Sequence, residues 1–307
     1  MGIIPSLKSL LPARDLGWNR VRAACALPSC HNKLMMRYVP GSRQGIFVRD
    51  AWYCSPDCFA AAARTTLALL FSRCVVEMPR NPRLSLGLAL LSKDYLSEDR
   101  LRSATLISQR QGASLEATLL ETGSVTEKQL AAARAVQWGY PVLAQDLSGQ
   151  LVESDLPSAL LRVYSAVPLH YSSKVKRLVL GFVHRVEHSL LQSIEQMTGF
   201  RAEPCFITPA EFSEQMERVA VPAGYEEALV EEPRDAAQMA RKLGGFAVEI
   251  SAIEARFAKC NSSIWVRIWG RRRTVDVVFA PKSAAQAAQA AQAAFSNTLP
   301  EVTYSLG

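Results

Sequence analysis

The sequence of 307 residues has no long apolar run. A helix that crosses a bilayer takes about 20 predominantly apolar residues, and no stretch of the chain approaches that length. The first residues, MGIIPSLKSLLPARD, also lack the sustained hydrophobic segment of an export signal. These absences argue against a membrane-spanning or exported protein, so we expect a cytoplasmic location without a transmembrane segment.

Recognisable catalytic motifs are absent as well. The sequence contains no Gly-Lys pair, which the phosphate-binding loop G-x-x-x-x-G-K-[ST] requires, and no G-x-S-x-G nucleophile elbow. His184 and His188 have the spacing at which one helix presents two metal ligands, but the residues between them do not match H-E-x-x-H. We expect these histidines to be solvated where a helix begins, and we expect the chain not to be an enzyme.

The sequence does have ample apolar content and an uneven charge. Hydrophobic residues make up 49% of the chain, and its length suggests two or three domains. Residues 1–80 carry 11 Lys and Arg against 4 Asp and Glu, which accounts for the whole net charge of +7. This surplus suits nucleic acid, an acidic protein or a membrane surface, but the basic residues are scattered and form no stripe. Nucleic-acid binding is therefore an alternative hypothesis.

Four cysteines in this basic part are spaced as two pairs. Cys25 and Cys30 enclose a proline turn, and Cys54 and Cys58 follow after 23 further residues. The Ser-Pro dipeptide between the second pair is typical of a helix start, and it predicts a helix over about Pro56–Ser72. This helix has Cys58 in its first turn, where the dipole and the free amides stabilise a thiolate.

The residues between the two pairs predict a hairpin that brings the four thiols together. Its extended runs are residues 34–39 and 46–53, on either side of a Pro-Gly turn. Four thiolates arranged tetrahedrally suit a structural zinc ion, so we predict Zn²⁺ bound by the four cysteines. The order of cysteine turn, hairpin and helix resembles a treble-clef zinc finger over roughly residues 20–72. Two disulfides are disfavoured because no export signal is seen; His31, next to Cys30, is an alternative ligand.

A helical pattern occurs twice in the middle of the chain, 29 residues apart. The apolar positions Leu86, Leu90, Leu91, Leu96 and Leu101 are matched by Leu115, Leu119, Leu120, Val125 and Leu130. The stretches SEDR from Ser97 and TEKQ from Thr126 also correspond, and each is typical of a helix start. We predict two helix-turn-helix units packed face to face, because neither could bury its apolar stripe alone.

A series of short motifs runs through residues 83–218. They are SLGxxLL from Ser85, SLExxLLxxG from Ser114, WGYPV from Trp138, VPLH from Val167, RLVLGFV from Arg177, MTGFRAEP from Met197 and TPAEF from Thr208. This succession resembles the N-terminal domain of type II secretion and type IV pilus assembly ATPases. The resemblance implies an adaptor that docks onto a protein partner, such as an inner-membrane secretion or pilus component or its ATPase. Since the phosphate-binding loop is lacking, we expect the adaptor part without the motor domain.

Some members of that family bind cyclic di-GMP through a tandem R-L-G…Q motif. The corresponding positions are Ser85, Gly87 and Ser108 in the first half and Ser114, Glu116 and Gln137 in the second. Both arginines are lost, and with them the charge-assisted contacts to phosphate and guanine, while Glu116 would repel the anionic ligand. We expect no tight binding of cyclic di-GMP, and a degenerate cyclic di-GMP sensor is a further alternative.

The last part of the chain predicts a small α-β-β-β-α domain. An acidic linker at 226–235 leads into a helix at 234–243 that ends at a Gly-Gly pair; extended runs follow at 248–259, 264–269 and 274–279, and an alanine-rich helix at 283–295. In the middle run, Ile264, Val266 and Ile268 alternate with Trp265, Arg267 and Trp269. We predict that the first set faces a core and that the second set is an interaction face, unless a helix covers it.

The sequence thus predicts an α+β multidomain protein with three modules in series. Residues 1–80 form a treble-clef-like zinc-binding module, residues 81–220 a secretion-ATPase N-terminal-like domain (81–140 helical repeat, 141–220 α/β), and residues 221–307 a small α+β domain. The main hypothesis is a non-catalytic adaptor or regulator that acts through protein–protein interaction. The alternative is a nucleic-acid-binding regulator that acts through its zinc finger.

Overall fold

The computed structural model describes residues 24–30, 45–72, 84–143 and 152–281, and its class is α+β as predicted. Its helices are α1 (Pro56–Ser72), α2 (Leu86–Ser92), α3 (Glu98–Gln111), α4 (Leu115–Glu121), α5 (Glu127–Trp138), α6 (Ser158–Val163), α7 (His188–Thr198), α8 (Pro209–Glu217) and α9 (Ala236–Glu249). Its strands are β1 (Ile46–Val48), β2 (Ala51–Tyr53), β3 (Val152–Glu153), β4 (Ala166–Ser172), β5 (Arg177–Phe182), β6 (Arg201–Phe206), β7 (Val219–Ala220), β8 (Tyr225–Glu231), β9 (Glu254–Cys260), β10 (Ser263–Trp269) and β11 (Thr274–Ala280). In these ranges no helix has both the length and the apolar character that crossing a bilayer takes.

The largest sheet joins the two ends of the described chain. Its strand order is β2-β1-β9-β10-β11-β8. The hairpin of β1 and β2 is antiparallel, and β1 pairs in parallel with the start of β9, where Phe47 lies opposite Glu254. The strands β9, β10 and β11 are antiparallel neighbours, and β8 runs parallel to β11. The first part of the chain therefore supplies two strands to the sheet of the last part.

One face of this sheet packs against α1 and α9. The apolar cluster between them contains Phe59 of α1, Leu243 of α9 and Val266 of β10. A Cβ atom on Gly244 would lie 3.3 Å from the Cβ of Ala60, so glycine allows the two helices to approach closely. The three-module division of the chain stays a prediction, and the predicted first and last modules share this sheet and this core.

The middle part of the chain, residues 152–220, packs against the other face of the six-stranded sheet. Its three-stranded sheet has the order β4-β5-β6, and β3 and β7 form a short parallel pair. The helices α6 and α7 lie between the two sheets, in a cluster that contains Leu160, Phe182, Ile194 and Trp265. Phe212 of α8 packs on the opposite face of the three-stranded sheet. The helices α6 and α7 thus pack against both the three-stranded and the six-stranded sheet.

The helical repeat has the two predicted helix-turn-helix units. Their four helices begin at hydroxyl caps, which are Ser85, Ser97, Ser114 and Thr126. Equivalent apolar residues of the two units meet in one cluster, among them Leu90 and Leu119, and Leu96 and Val125. The units bury their stripes against each other, with α2 on α5 and α3 on α4.

Several predicted boundaries in the last part are wrong. The stretch 226–235 is not a linker, since most of it belongs to β8, an edge strand whose acidic side chains remain in solvent. The helix α9 does not end at the Gly-Gly pair but runs to Glu249, because Leu243 and Ala247 continue its buried stripe. The first extended run begins only at Glu254. The alanine-rich stretch 283–295 lies outside the described residues.

The predicted hairpin between the cysteine pairs also differs. Residues 46–53 are not one strand, because β1 and β2 turn back on each other at Arg49 and Asp50. Arg49 adopts a left-handed conformation with φ of 55°, which such a tight turn requires. The other predicted run, 34–39, and the alternative ligand His31 lie outside the described residues.

Candidate metal centre

The structure brings Cys25, Cys30, Cys54 and Cys58 together. All four Sγ atoms lie within 4.8 Å of one another. The Sγ of Cys54 is 3.6 Å from those of Cys30 and Cys58, which are 3.7 Å apart. Sulfurs held at 2.3 Å from a tetrahedral zinc ion are separated by ~3.8 Å, whereas a disulfide holds them at about 2.05 Å. The cysteines are free, and their spacing is compatible with zinc and not with disulfides.

Backbone hydrogen bonds hold the cysteine-bearing segments in place. The N–H of Cys30 donates to the carbonyl of Leu27 at 3.0 Å and closes the first turn, and the N–H of Ala26 donates to the carbonyl of Trp52 at 2.8 Å, which ties that turn to β2. The N–H of Cys58 donates to the hydroxyl of Ser55 at 3.2 Å. This is the predicted N-cap, and it fixes Cys58 in the first turn of α1.

Apolar side chains surround the sulfur cluster. Leu27, Trp52 and Tyr53 pack against it. A Cβ on Gly45, whose φ is 145°, would come within 2.2 Å of the indole nitrogen of Trp52, so the ring lies directly on the glycine backbone. This apolar shell limits water at the sulfurs, which strengthens metal–thiolate bonding.

Burial and mutual hydrogen bonding separate the pKa values of the thiols. Burial, together with hydrogen bonds to Cys30 and Cys58, raises the pKa of Cys54 to about 12. The pKa of Cys25 is lowered: burial acts to raise it, but backbone hydrogen bonds involving Cys54 and Leu27 favour its thiolate. Metal binding requires thiolates, so a bound metal ion would displace the protons that these thiols carry.

Comparison with known proteins points to the secretion and pilus ATPases. The chain is 25% identical over 129 residues to the type IV pilus assembly ATPase PilB of Thermus thermophilus, a match that covers 41% of this chain and 14% of PilB. No family model matches the sequence. The PilB match confirms the resemblance to pilus assembly ATPases that the sequence motifs predict.

Solved structures are also similar to part of this chain. One is MshE with cdg, at a TM-score of 0.37 and 22% identity, covering 45% of this chain and 100% of that chain. Two others are crystal forms of the N-terminal domain of XpsE, at TM-scores of 0.33 and 0.27 and identities of 22% and 20%. They cover 44% and 43% of this chain, and 92% and 93% of the XpsE chains.

The predicted interaction face on β10 lies largely inside the molecule. Trp265 is 0% exposed and Arg267 is 2% exposed, because α6, α7 and the loop before α6 cover them. Trp269 is half-buried, with the guanidinium of Arg256 lying 5.0 Å from its ring centre. The prediction of an accessible face is therefore wrong for Trp265 and Arg267, and the alternative of a covering helix describes them.

Arg267 is the centre of a buried polar network that the sequence reasoning missed. Its Nε and Nη2 donate to the two carboxylate oxygens of Asp276 at 2.8 and 2.7 Å, and its Nη1 donates to the carboxylate of Asp155 at 2.8 Å. Tyr225 donates its hydroxyl to Asp276 at 2.8 Å. Burial alone would lower the pKa of Arg267, but the charges of Asp276 and Asp155 raise it. Arg267 and Asp276 each stand among apolar residues of two successive predicted strands, and this pattern could have indicated that they pair.

The two histidines at 184 and 188 do not share a helix, and of the two that were expected to be solvated, His184 is exposed while His188 is half-buried. His188 begins α7, and His184 precedes it. The Nδ1 of His184 lies 3.4 Å from the guanidinium of Arg134, and the Nε2 of His188 lies 3.4 Å from the hydroxyl of Tyr140. Desolvation lowers the pKa of His184, and the charge of Arg134 lowers it further.

Proposed function

We propose that this chain is a non-catalytic adaptor or regulator that works with type II secretion or type IV pilus machinery through protein–protein contacts. The sequence match to the pilus assembly ATPase PilB carries this proposal. The ordered motifs of residues 83–218 support it, because they resemble the part of such ATPases that docks onto a partner. The partners we propose are an inner-membrane secretion or pilus component, on its cytoplasmic side, or the ATPase itself.

The non-catalytic role rests on the chemistry that the sequence lacks. An assembly ATPase binds nucleotide phosphates on the backbone amides of a G-x-x-x-x-G-K-[ST] loop, and no Gly-Lys pair occurs in the 307 residues. In the described residues, the buried guanidinium of Arg267 pairs with the buried Asp276, and the buried guanidinium of Arg134 pairs with the half-buried Glu116. Groups that are paired in this way are structural rather than poised for acid–base chemistry.

We infer that the sulfur cluster holds a structural zinc ion. Four thiolates near tetrahedral spacing, with no carboxylate grouped with them among the described residues, suit zinc as a structural site. The ion would connect the turn at Cys25, the strand β2 and the first turn of α1, and so fix a small segment that has little core of its own. Its role would be that of a clasp, in a module that resembles a treble-clef finger.

Nucleic-acid binding is the second candidate, and one observation favours it. The first 80 residues carry 11 basic residues against 4 acidic ones. Against it, a zinc ion bound by four thiolates is itself a centre of net charge −2, which offsets part of this surplus. Salt dependence separates the two candidates, since nucleic-acid affinity falls steeply with salt while an apolar protein contact changes little.

The cyclic di-GMP sensor is the weakest of the alternatives. The position of the second motif glycine is Glu116, and its carboxylate pairs with the buried guanidinium of Arg134. The arginine positions of both motifs hold Ser85 and Ser114, which cap helices α2 and α4. We infer that these residues serve the internal structure and do not bind a dinucleotide.

The decisive experiment measures binding of the purified, zinc-loaded chain to the cytoplasmic parts of secretion and pilus inner-membrane proteins and to the motor ATPases of the same host. Biolayer interferometry over a range of salt concentrations, with single-stranded and duplex DNA as parallel ligands, gives the affinities. Saturable protein binding with a shallow salt dependence supports the adaptor. Steep, salt-sensitive binding to nucleic acid with none to these proteins favours the second candidate, and ATP hydrolysis by the chain alone contradicts the proposal.

A further inference from the structure

The contact between the middle part of the chain and the six-stranded sheet has an apolar and a polar component. The apolar component packs Leu160 and Ile194 of the middle part against Trp265, Val278 and neighbouring residues of the sheet. The hydrophobic effect depends on buried area and not on angle, whereas a hydrogen bond depends on both distance and angle. The polar component is therefore the part of the contact that specifies the orientation of the two parts most sharply.

The first polar contact is made by Arg267. It forms four hydrogen bonds, two to the carboxylate of Asp276 in its own sheet and two to the carboxylate and carbonyl of Asp155 in the middle part. A guanidinium has five N–H donors in a rigid plane, so a partner that takes two of them is fixed in both position and angle. Asp276 neutralises the buried charge, and Asp155 accepts from two of the three remaining donors and so aligns the middle part.

The second polar contact lies three residues further along the same loop. The backbone N–H of Ser158 donates to the carboxylate of Glu227 on β8 at 2.6 Å, and the Ser158 hydroxyl donates to the same carboxylate. Two charged residues on different strands of the sheet, Arg267 and Glu227, thus hold the segment 155–158 at two points. Two fixed points prevent both sliding and rotation of this segment over the sheet.

The third contact lies along β9. The strand β1 pairs with β9 at Glu254 and Ala255. Further along, the carbonyl of Phe257 accepts a hydrogen bond from Gln196 at 3.4 Å, and the carbonyl of Lys259 accepts one from Ser193 at 3.2 Å. Side chains of α7 thus donate hydrogen bonds to backbone carbonyls of β9, as the N–H groups of a neighbouring strand would.

From these contacts we propose that Asp155, bound to Arg267, is a positioning residue that sets the register of the middle part on the six-stranded sheet, so that the two parts move as one rigid unit. Arg267 is buried among apolar residues, and a buried charged group of this kind can specify one arrangement without adding much stability. It follows from the proposal that α7 keeps its hydrogen bonds to the carbonyls of β9 only while the segment 155–158 is held at its two points. The proposal is independent of the adaptor function, because it concerns contacts within the chain.

The test compares Asp155→Ala with Glu226→Ala by hydrogen–deuterium exchange. The two carboxylates are matched, since their side chains are 45% and 46% exposed and each pairs with an arginine, but Glu226 pairs with Arg273 inside the sheet. Asp155→Ala should raise exchange by roughly tenfold both at 154–164 and in α7, a change that corresponds to ~1.4 kcal/mol of opening free energy. Glu226→Ala should leave both regions at the wild-type rate.

A second variant distinguishes a change in the position of the middle part from a change confined to the mutated residue. Ser158→Ala removes the hydroxyl contact to Glu227 and should raise exchange in α7 as well, with a smaller effect because the backbone donor remains. Faster exchange in α7 in both variants supports the proposal that the segment 155–158 sets the register of the middle part on the sheet. Exchange that rises only beside the mutated residue, or is unchanged in both variants, overturns the proposal, because the apolar contact alone would then fix the arrangement.

Discussion

Glu116 and Arg134 form an ion pair between α4 and α5, and the same guanidinium donates to the carbonyl of Val183 at 2.6 Å. Arg134 is buried, so its charge needs this partner. By the resemblance to secretion ATPases, Glu116 stands where a nucleotide-binding motif would have glycine. The Glu116 carboxylate is thus bound to Arg134 at the position where, by this resemblance, a dinucleotide would approach the backbone of a glycine.

We therefore expect the chain not to bind cyclic di-GMP in isothermal titration up to high micromolar ligand. The variant with Ser85→Arg, Ser114→Arg and Glu116→Gly restores the arginine and glycine positions, and measurable heat should appear in it because arginine supplies the charge-assisted contacts to phosphate and guanine. Low-micromolar binding by the wild type would show that the altered motif still recognises the ligand.

Thiol accessibility should divide the cysteines into two groups. In the zinc-loaded protein, alkylation followed by peptide mass spectrometry should find Cys25, Cys30, Cys54 and Cys58 protected, and a strong chelator should make all four reactive. Cys205 should stay unreactive in both states, because burial raises the pKa of its thiol to about 12. Equal reaction of Cys54 with and without chelator would contradict a metal held by this cluster.

Removing the metal should loosen the large sheet as well as the cysteine turns. The hairpin of β1 and β2 pairs with β9, and α1 shares a core with α9, so release of Cys54 and Cys58 weakens these contacts. Cys54→Ser with Cys58→Ser should raise hydrogen–deuterium exchange in α1, β1 and the start of β9, while the helical repeat at 84–139 keeps the wild-type rate. The matched control is Cys205→Ala, a buried cysteine outside the cluster. Faster exchange in the repeat with no change in β9 would disprove this coupling.

The two adjacent glycines of α9 should differ in how large a side chain they tolerate. Nothing lies within 4 Å of a Cβ added at Gly245, so Gly245→Ala should stabilise the protein by about 0.5–1 kcal/mol through helix propensity and unfolded-state entropy. At Gly244 the added Cβ would meet that of Ala60 at 3.3 Å, so Gly244→Ala should gain less, and Gly244→Leu should destabilise by about 1–3 kcal/mol through overpacking. Chemical denaturation gives the three values. Stabilisation by Gly244→Leu would mean that α1 and α9 are not in contact.

Local signals in the sequence were sufficient for the elements with strong caps and periods. Ser55 and Pro56 indicated the start of α1, and the repeated leucines indicated the two helical units, because capping and apolar spacing act within a few residues. The two cysteine pairs could be recognised for the same reason, since the spacing within each pair is local and the chemistry of four thiols is distinctive.

The errors occurred where distant residues decide the outcome. Nothing near Gly244 shows that α1 would pack against it and keep the helix intact through two glycines. The acidic residues around Glu226 were interpreted as a linker, because only the parallel pairing with β11 makes that stretch a strand. The face with Trp265 and Arg267 was predicted to be accessible because its cover comes from residues about a hundred positions earlier in the sequence.

The central claim is that the four cysteines bind one zinc ion that clasps the first part of the chain to the six-stranded sheet. X-ray absorption at the zinc edge, on protein purified without added metal, tests it most directly. We expect one equivalent of zinc with four sulfur neighbours at about 2.3 Å, and loss of that signal in Cys54→Ser with Cys58→Ser. Protein that is folded without zinc, or zinc bound by nitrogen and oxygen ligands, would contradict it.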